Sequence, residues 1–211
     1  MTVFFMRYCT NLHKQLRALF MLLALLGAGI SVARAEGLEV RRAEAHYFDG
    51  SYQLSADFDI RLNFVVEQAL EQGIPLYFVS EFTLTHPRWY WLDEAVTQNQ
   101  QTFKLSYNTL TRQYRITRGA LFQNFADLDD ILRIIGHQSS PAIAADLLSG
   151  DAGGLFKKDS NYVAAVRLRL DVTQLPKPLQ VNALAGNDWN LDSGWYRWIV
   201  RPDALKRNKG E

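Results

Sequence analysis

Residues Ser51 to Leu62 alternate strictly: Tyr52, Leu54, Ala56, Phe58, Ile60 and Leu62 are apolar, while Ser51, Gln53, Ser55, Asp57, Asp59 and Arg61 are polar. A period of two describes a strand with one buried and one wet face. Asp49-Gly50 stands just before it. That pair suits a tight hairpin turn, whose central residues need positive φ, so Leu38–Phe48 is expected to pair antiparallel with Ser51–Leu62. Asn63 can cap a short helix over 64–72, which Gly73 ends. Pro75 then opens a strand running to His86, and a loop follows over 87–101. Residues 102–110 and 112–118 read as a second hairpin, with Phe103, Leu105 and Tyr107 answered by Tyr114 and Ile116.

Leu128, Ile131, Leu132 and Ile135 fall at helical spacing and form one apolar stripe. Asp127 caps that helix, and Asp129 and Asp130 suit the positive end of its dipole. Residues 139–161 read as a mobile connection with at most a short helix. Tyr162, Ala164, Val166, Leu168 and Leu170 then alternate with outward Arg167, Arg169 and Asp171. Pro176 and Pro178 belong at a turn or a sheet edge, because they lack a ladder donor. The last strand spans Gly194–Arg201. About seven strands with short connections and two short helices predict a mainly β fold, an antiparallel β-sandwich whose ends the helices cap.

The N-terminal segment follows a different pattern. Arg7, Lys14 and Arg17 precede an apolar run, Ala18–Val32, and Ala33-Arg34-Ala35 follows. Basic, apolar, then small is the order of a secretory signal, with cleavage expected after Ala35; an uncleaved anchor is the alternative. The run is shorter than the roughly 20 apolar residues a spanning helix needs. The expected organisation is thus a signal peptide over 1–35, one sandwich domain over 36–203 and a polar tail over 204–211.

Cleavage changes composition and charge. Cys9 is the only cysteine, so the exported chain carries no thiol, and a Cys nucleophile, thiolate zinc and c-type haem attachment are excluded. Four of the 23 basic residues and none of the 22 acids precede Glu36, which leaves 19 against 22, a net charge of −3. That balance argues against a general nucleic-acid binder, which needs a basic stripe to displace counterions.

The candidate chemistry is aromatic. Trp89 and Trp91 flank Tyr90 in the loop after the third strand, beside Arg88, Asp93 and Glu94, and Trp189, Trp195 and Trp198 crowd the C-terminal run. Buried, a tryptophan supplies area and one N–H that wants a partner; exposed, it anchors an interface. Packing is the first reading for the C-terminal three, and the loop pair is the better surface candidate. Asp188 and Asp192 straddle Trp189. Two carboxylates can divide acid and base work on a glycoside, but Asn- and Asp-rich runs also satisfy turn amides locally. His46, His86 and His137 lack metal-ligand spacing, and no G-x-S-x-G or phosphate loop occurs.

Three stretches, His86–Glu94, Leu110–Ile116 and Leu175–Trp198, together resemble the proteobacterial domain of unknown function 4390 family. The C-terminal stretch is the specific one, and the Gly-rich run at Asp151–Gly154 departs from the family pattern. The resemblance implies an exported protein of Gram-negative bacteria with no assigned activity and no catalytic residue to carry over, of a kind often encoded beside a membrane sensor kinase.

The expectation is a non-catalytic periplasmic or envelope protein without a cofactor. Its surface would combine Arg88, Trp89, Tyr90, Trp91, Asp93 and Glu94 with Asp188, Trp189, Trp195 and Trp198. The partner would be an inner-membrane or envelope protein, or a glycan. The alternatives are an envelope hydrolase using Asp188 and Asp192, and a purely structural envelope protein.

Overall fold

The computed structural model describes residues 37–87, 94–148 and 161–207. The chain divides into two units, Met1–Ala35 and Glu36–Glu211, and every described residue lies in the second.

β1 (Gly37–Phe48) and β2 (Ser51–Arg61) form the expected hairpin, closed by Asp49 and Gly50 at φ 48° and 74°. Phe48 faces Ser51 and Gly37 faces Arg61, with one bulge at Arg41. Tyr52, Leu54, Ala56, Phe58 and Ile60 are all buried, as their alternation requires. The Asn63 Oδ1 accepts from the Val66 N–H at 2.9 Å and starts α1 (Phe64–Glu71). Gly73, at φ 87°, turns the chain out of it. The fold continues with β3 (Leu76–His86), β4 (Glu94–Asn108), β5 (Gln113–Arg118), β6 (Leu121–Phe125) and α2 (Leu128–Gly136). After these come β7 (His137–Ser139), β8 (Ile143–Ala144), β9 (Tyr162–Leu170), α3 (Lys177–Ala185), β10 (Tyr196–Val200) and α4 (Pro202–Arg207).

Two antiparallel sheets result. The smaller has the order β1-β2-β7, with β8 also on β2; the larger has the order β10-β9-β3-β4-β5-β6. Their inner faces meet in one core, where Tyr52, Leu54 and Phe58 join Phe78, Phe82, Leu105, Val166 and Leu168. The fold is mainly β and consistent with the expected sandwich. Its helices do more than close the ends. α2 buries Ile131, Leu132 and Ile135 and packs on β2 and β7 of one sheet and on β5 and β6 of the other. On the opposite side α4 packs on β1.

The elements differ from expectation in several places. Glu94–Gln101 is strand, not loop: it pairs with β3, with His86 opposite Glu94. Its polar side chains hid it, because most of this stretch runs beyond the end of β5, which pairs with β4 only over Lys104–Asn108. β6 is an added edge strand, exposed at its first four residues. Pro176 and Pro178 open α3 rather than mark a turn, since the first helical turn needs no N–H from them. Pro202 starts α4, so helix runs into what the polar pattern marks as tail. The connection over 139–161 holds β8 and a 3₁₀ turn at Ala145–Leu148, and 149–160 lie outside the described residues.

Gly136, at the end of α2, tests this packing. A β-carbon there would meet the Phe58 carbonyl oxygen at 2.6 Å. Gly→Ala inside a helix ordinarily stabilises by about 1 kcal/mol. Here the backbone oxygen of the central strand cannot move aside, so Gly136→Ala is expected to destabilise by about 1–3 kcal/mol in urea unfolding. A variant as stable as the parent or more so would show that the helix does not sit this close to β2.

Candidate functional site

The residues singled out by the sequence occupy separate surroundings. Trp189 is 4% exposed and belongs to the core. It also lines a groove of about 490 Å³ between α1 and α3, together with Val65, Ile74, Leu179 and Asp188. Asp188 is exposed, and its backbone oxygen accepts from the Asn63 side-chain amide. Trp195 is at the surface, with the Arg167 guanidinium 5.9 Å from its ring centre. Trp198 is half-buried on the inward side of β10, packed against the core. The four therefore do not make one aromatic surface. Arg88, Trp89, Tyr90, Trp91 and Asp93 lie outside the described residues, and Glu94 opens β4 opposite His86.

Nor do the two aspartates converge on a cleft. Asp192 accepts from Arg167 Nε at 2.9 Å and from its Nη2, and from the Gly194 N–H at 2.9 Å. The Arg167 hydrogen bonds hold its carboxyl below the usual carboxylate range, with burial opposing and the Gly194 N–H assisting. A carboxyl so held stays ionised and has no proton to give a leaving group. The same stretch is tied to β9. Asp192 forms a bridge to Arg169, the Leu170 N–H donates to the Leu191 carbonyl, and the Leu168 N–H donates to Ser193 Oγ. Gly194, at φ 66°, then turns the chain into β10.

What the larger sheet presents at that end is a groove of about 730 Å³ between β1, β10 and α4. Ala45, Tyr47, Trp198, Val200 and Leu205 give it an apolar lining, with Arg201 and Glu44 at hand. Its walls are the outer strands of the two sheets, for β1 ends one strand order and β10 ends the other. Tyr52 fixes the third wall: its hydroxyl donates to the Pro202 carbonyl at 3.2 Å, and its ring stands 4.9 Å from that of Tyr47. Burial pushes the Tyr52 hydroxyl pKa up to about 12, with the neighbouring Tyr47 and Asp203 adding to it. His86 lies 5.4 Å from Tyr162, which pairs with Val200.

The two walls differ. β1 carries a bulge at Arg41, the Arg42–Glu44 ion pair and His46 hydrogen-bonded to Ser55; bulges and charges are how an edge strand is kept from pairing. β10 pairs with β9 along one side and has Arg197 as its one charged residue, with Tyr196 and Ile199 exposed at 45% and 59%. The Trp198 Nε1 is buried without a hydrogen-bond partner among the described residues. A buried unsatisfied donor costs about 1–3 kcal/mol. The signal for this site was present in "WYRWIV" before Pro202. What the sequence could not give was the juxtaposition of the two sheet edges, which lie about 150 residues apart in the chain.

Among the described residues, no helix is long and apolar enough to cross a membrane, and no group of three or more His, Cys, Asp or Glu could hold a metal ion. The model of one family, described as a domain of unknown function (DUF4390), matches residues 35–199 of the chain. No curated protein and no solved structure matches it.

The Asp192 latch gives a pH test with a definite sign. A carboxyl depressed in the folded state adds stability above its unfolded value of about 3.9, and that stability is lost as pH falls through the lower folded value. Asp192→Asn should therefore melt below the parent near neutrality, and the gap should shrink as pH is lowered to about 3. Parallel melting curves at all pH values would mean that the ion pair contributes nothing.

Proposed function

Because the chain belongs to the DUF4390 family, which carries no assigned activity, we propose from its geometry that it is a non-catalytic binding domain of the cell envelope. It takes an extended segment of an inner-membrane protein, such as the periplasmic part of a sensor kinase, as an added strand along β10. One observation carries the reading. Among the described residues no strand lies beyond β10, which is nearly uncharged and borders an apolar groove, and a buried indole N–H there has no acceptor. Strand addition draws affinity from main-chain hydrogen bonds and specificity from pockets for alternate side chains. Alternate residues of an incoming strand would enter the groove between Tyr47 and Leu205, where a backbone carbonyl could meet Trp198. The basic, apolar and small N-terminal order supports export to the periplasm.

The terminal aromatic residues keep a role in this reading, divided between two duties. Trp198 lines the groove, with the Tyr196 ring 6.0 Å from its own. Trp195 and Asp192 hold Arg167 and so fix where β10 begins.

The test is a photo-crosslinking amino acid placed at Ile199 in living cells, with exposed Lys177 as the control position. A single membrane protein should be trapped from position 199 and not from 177, and the adduct should map to one extended segment. No adduct from either position, or the same adducts from both, would refute the reading.

A further inference from the structure

The opposite edge of the larger sheet carries a separate feature. β6 ends the strand order, and among the described residues no strand lies beyond it. Its sequence, Leu121-Phe122-Gln123-Asn124-Phe125, has no charge and no proline, and its pairing with β5 runs without a bulge. Leu121 and Phe122 are 69% and 65% exposed. An edge of this kind is a template for another strand. The other edges are handled differently. β1 is bulged and charged, β7 is three residues long, and β10 borders the groove.

We propose that this chain pairs with a second copy of itself through β6, antiparallel about a two-fold axis at Gln123. The occupant follows from complementarity. In that register Leu121 meets the Phe125 of the second copy, and Phe122 meets its Asn124. Every strand residue gains a partner, and no like charges face each other. The strand ends are complementary in charge as well. Arg118 stands beside Leu121 at one end of β6, and Asp127 follows Phe125 at the other, both exposed. Asp129 and Asp130 open α2 just beyond. Antiparallel pairing brings the basic end of each copy to the acidic end of the other, twice. Arg115 lies over the Phe122 ring at 4.9 Å and bonds Asn124 at 2.8 Å, which holds the outer face of the edge in strand geometry before any partner arrives.

Such an interface is isologous, so it closes at two copies and does not propagate into fibres. It joins two six-stranded sheets into one and leaves both β10 edges free. Five residues a side bury less than the roughly 1,200–2,000 Å² of a stable standard interface, so the dimer is a weak one that forms readily only where the chain is concentrated. This pairing is independent of the function proposed above, which concerns the other edge.

The experiment uses the full chain carrying Cys9→Ser. In that background Gln123→Cys places one thiol on the axis, where opposed residues of an antiparallel pair bring their β-carbons within about 5.5 Å. Mild oxidation should convert it to a disulfide-linked dimer, while Gln98→Cys, exposed on β4, stays monomeric. In sedimentation, Phe122→Lys and Arg118→Glu should each weaken self-association by about tenfold or more. Arg118→Glu should leave the melting temperature unchanged, and added salt should weaken the parent dimer. A Gln123→Cys chain that oxidises no faster than the Gln98→Cys control would overturn the proposal. So would an association constant indifferent to both substitutions.

Discussion

The larger sheet is wider than the one it packs against, and the rest of the molecule is shaped by that mismatch. Six strands face an array whose continuous order is only three, with β8 filling one corner. The apolar inner face of the larger sheet cannot be left in water, since each uncovered square ångström costs about 25 cal/mol. No internal disulfide is available to substitute for core, because the sequence holds a single cysteine. The chain therefore covers the overhang with helices. α1 covers β4 near its end, and α2 spans from β2 and β7 to β5 and β6. The close approach of Gly136 to Phe58 is a product of the same constraint, for α2 must lie low enough to touch both sheets.

Unequal width also decides where the molecule is open. A sandwich with matched sheets would close both sides with the same pair of edges. Here α2 fills one side, while on the other a groove lies between β1 and β10 and α4 lines it, tied down by Tyr52 through Pro202. Exposed edges are hazards that charges and bulges usually blunt. The chain blunts β1 and leaves both edges of the larger sheet nearly uncharged. This asymmetry within one molecule supports reading β10 and β6 as working edges.

How much of this was legible in the sequence depended on whether a residue's burial followed from its own strand. Tyr52 to Ile60 and Tyr162 to Leu170 read correctly, because strands packed on one face alternate whatever their neighbours are. Asn63 and Asp127 read correctly because capping is local chemistry. Glu94–Gln101 did not: a strand segment paired on one side, with little apolar content, looks like loop. β6 was invisible for the related reason that an exposed edge shows no alternation. The site was half legible. The aromatic density of the C-terminal run was plain, but which indole faces core, surface or groove depends on Gly194 and on long-range pairing. The sequence pointed to Asp188 and Asp192 as a pair because they are neighbours along the chain. The fold gives Asp192 to Arg167 on another strand.

That ion pair shows what the acids near the site are for. Arg167 and Asp192 are about a quarter exposed, and a partly buried pair of this kind is seldom a large net source of stability once desolvation is counted. Its stronger effect is on conformation. β9 accepts two different partners along one edge, residues 191–193 near its C-terminal end and β10 near its N-terminal end, with Gly194 between them. A one-residue slip there would exchange the two faces of β10, sending Trp198 and Val200 to solvent and Arg197 and Ile199 into the core. The bidentate grip of Arg167 on Asp192, closed by the Gly194 N–H and covered by Trp195, fixes the register at the point where slippage would begin. The orientation of Trp198, and with it the lining of the groove, thus rests on a carboxylate held in its charged form rather than on one that exchanges a proton.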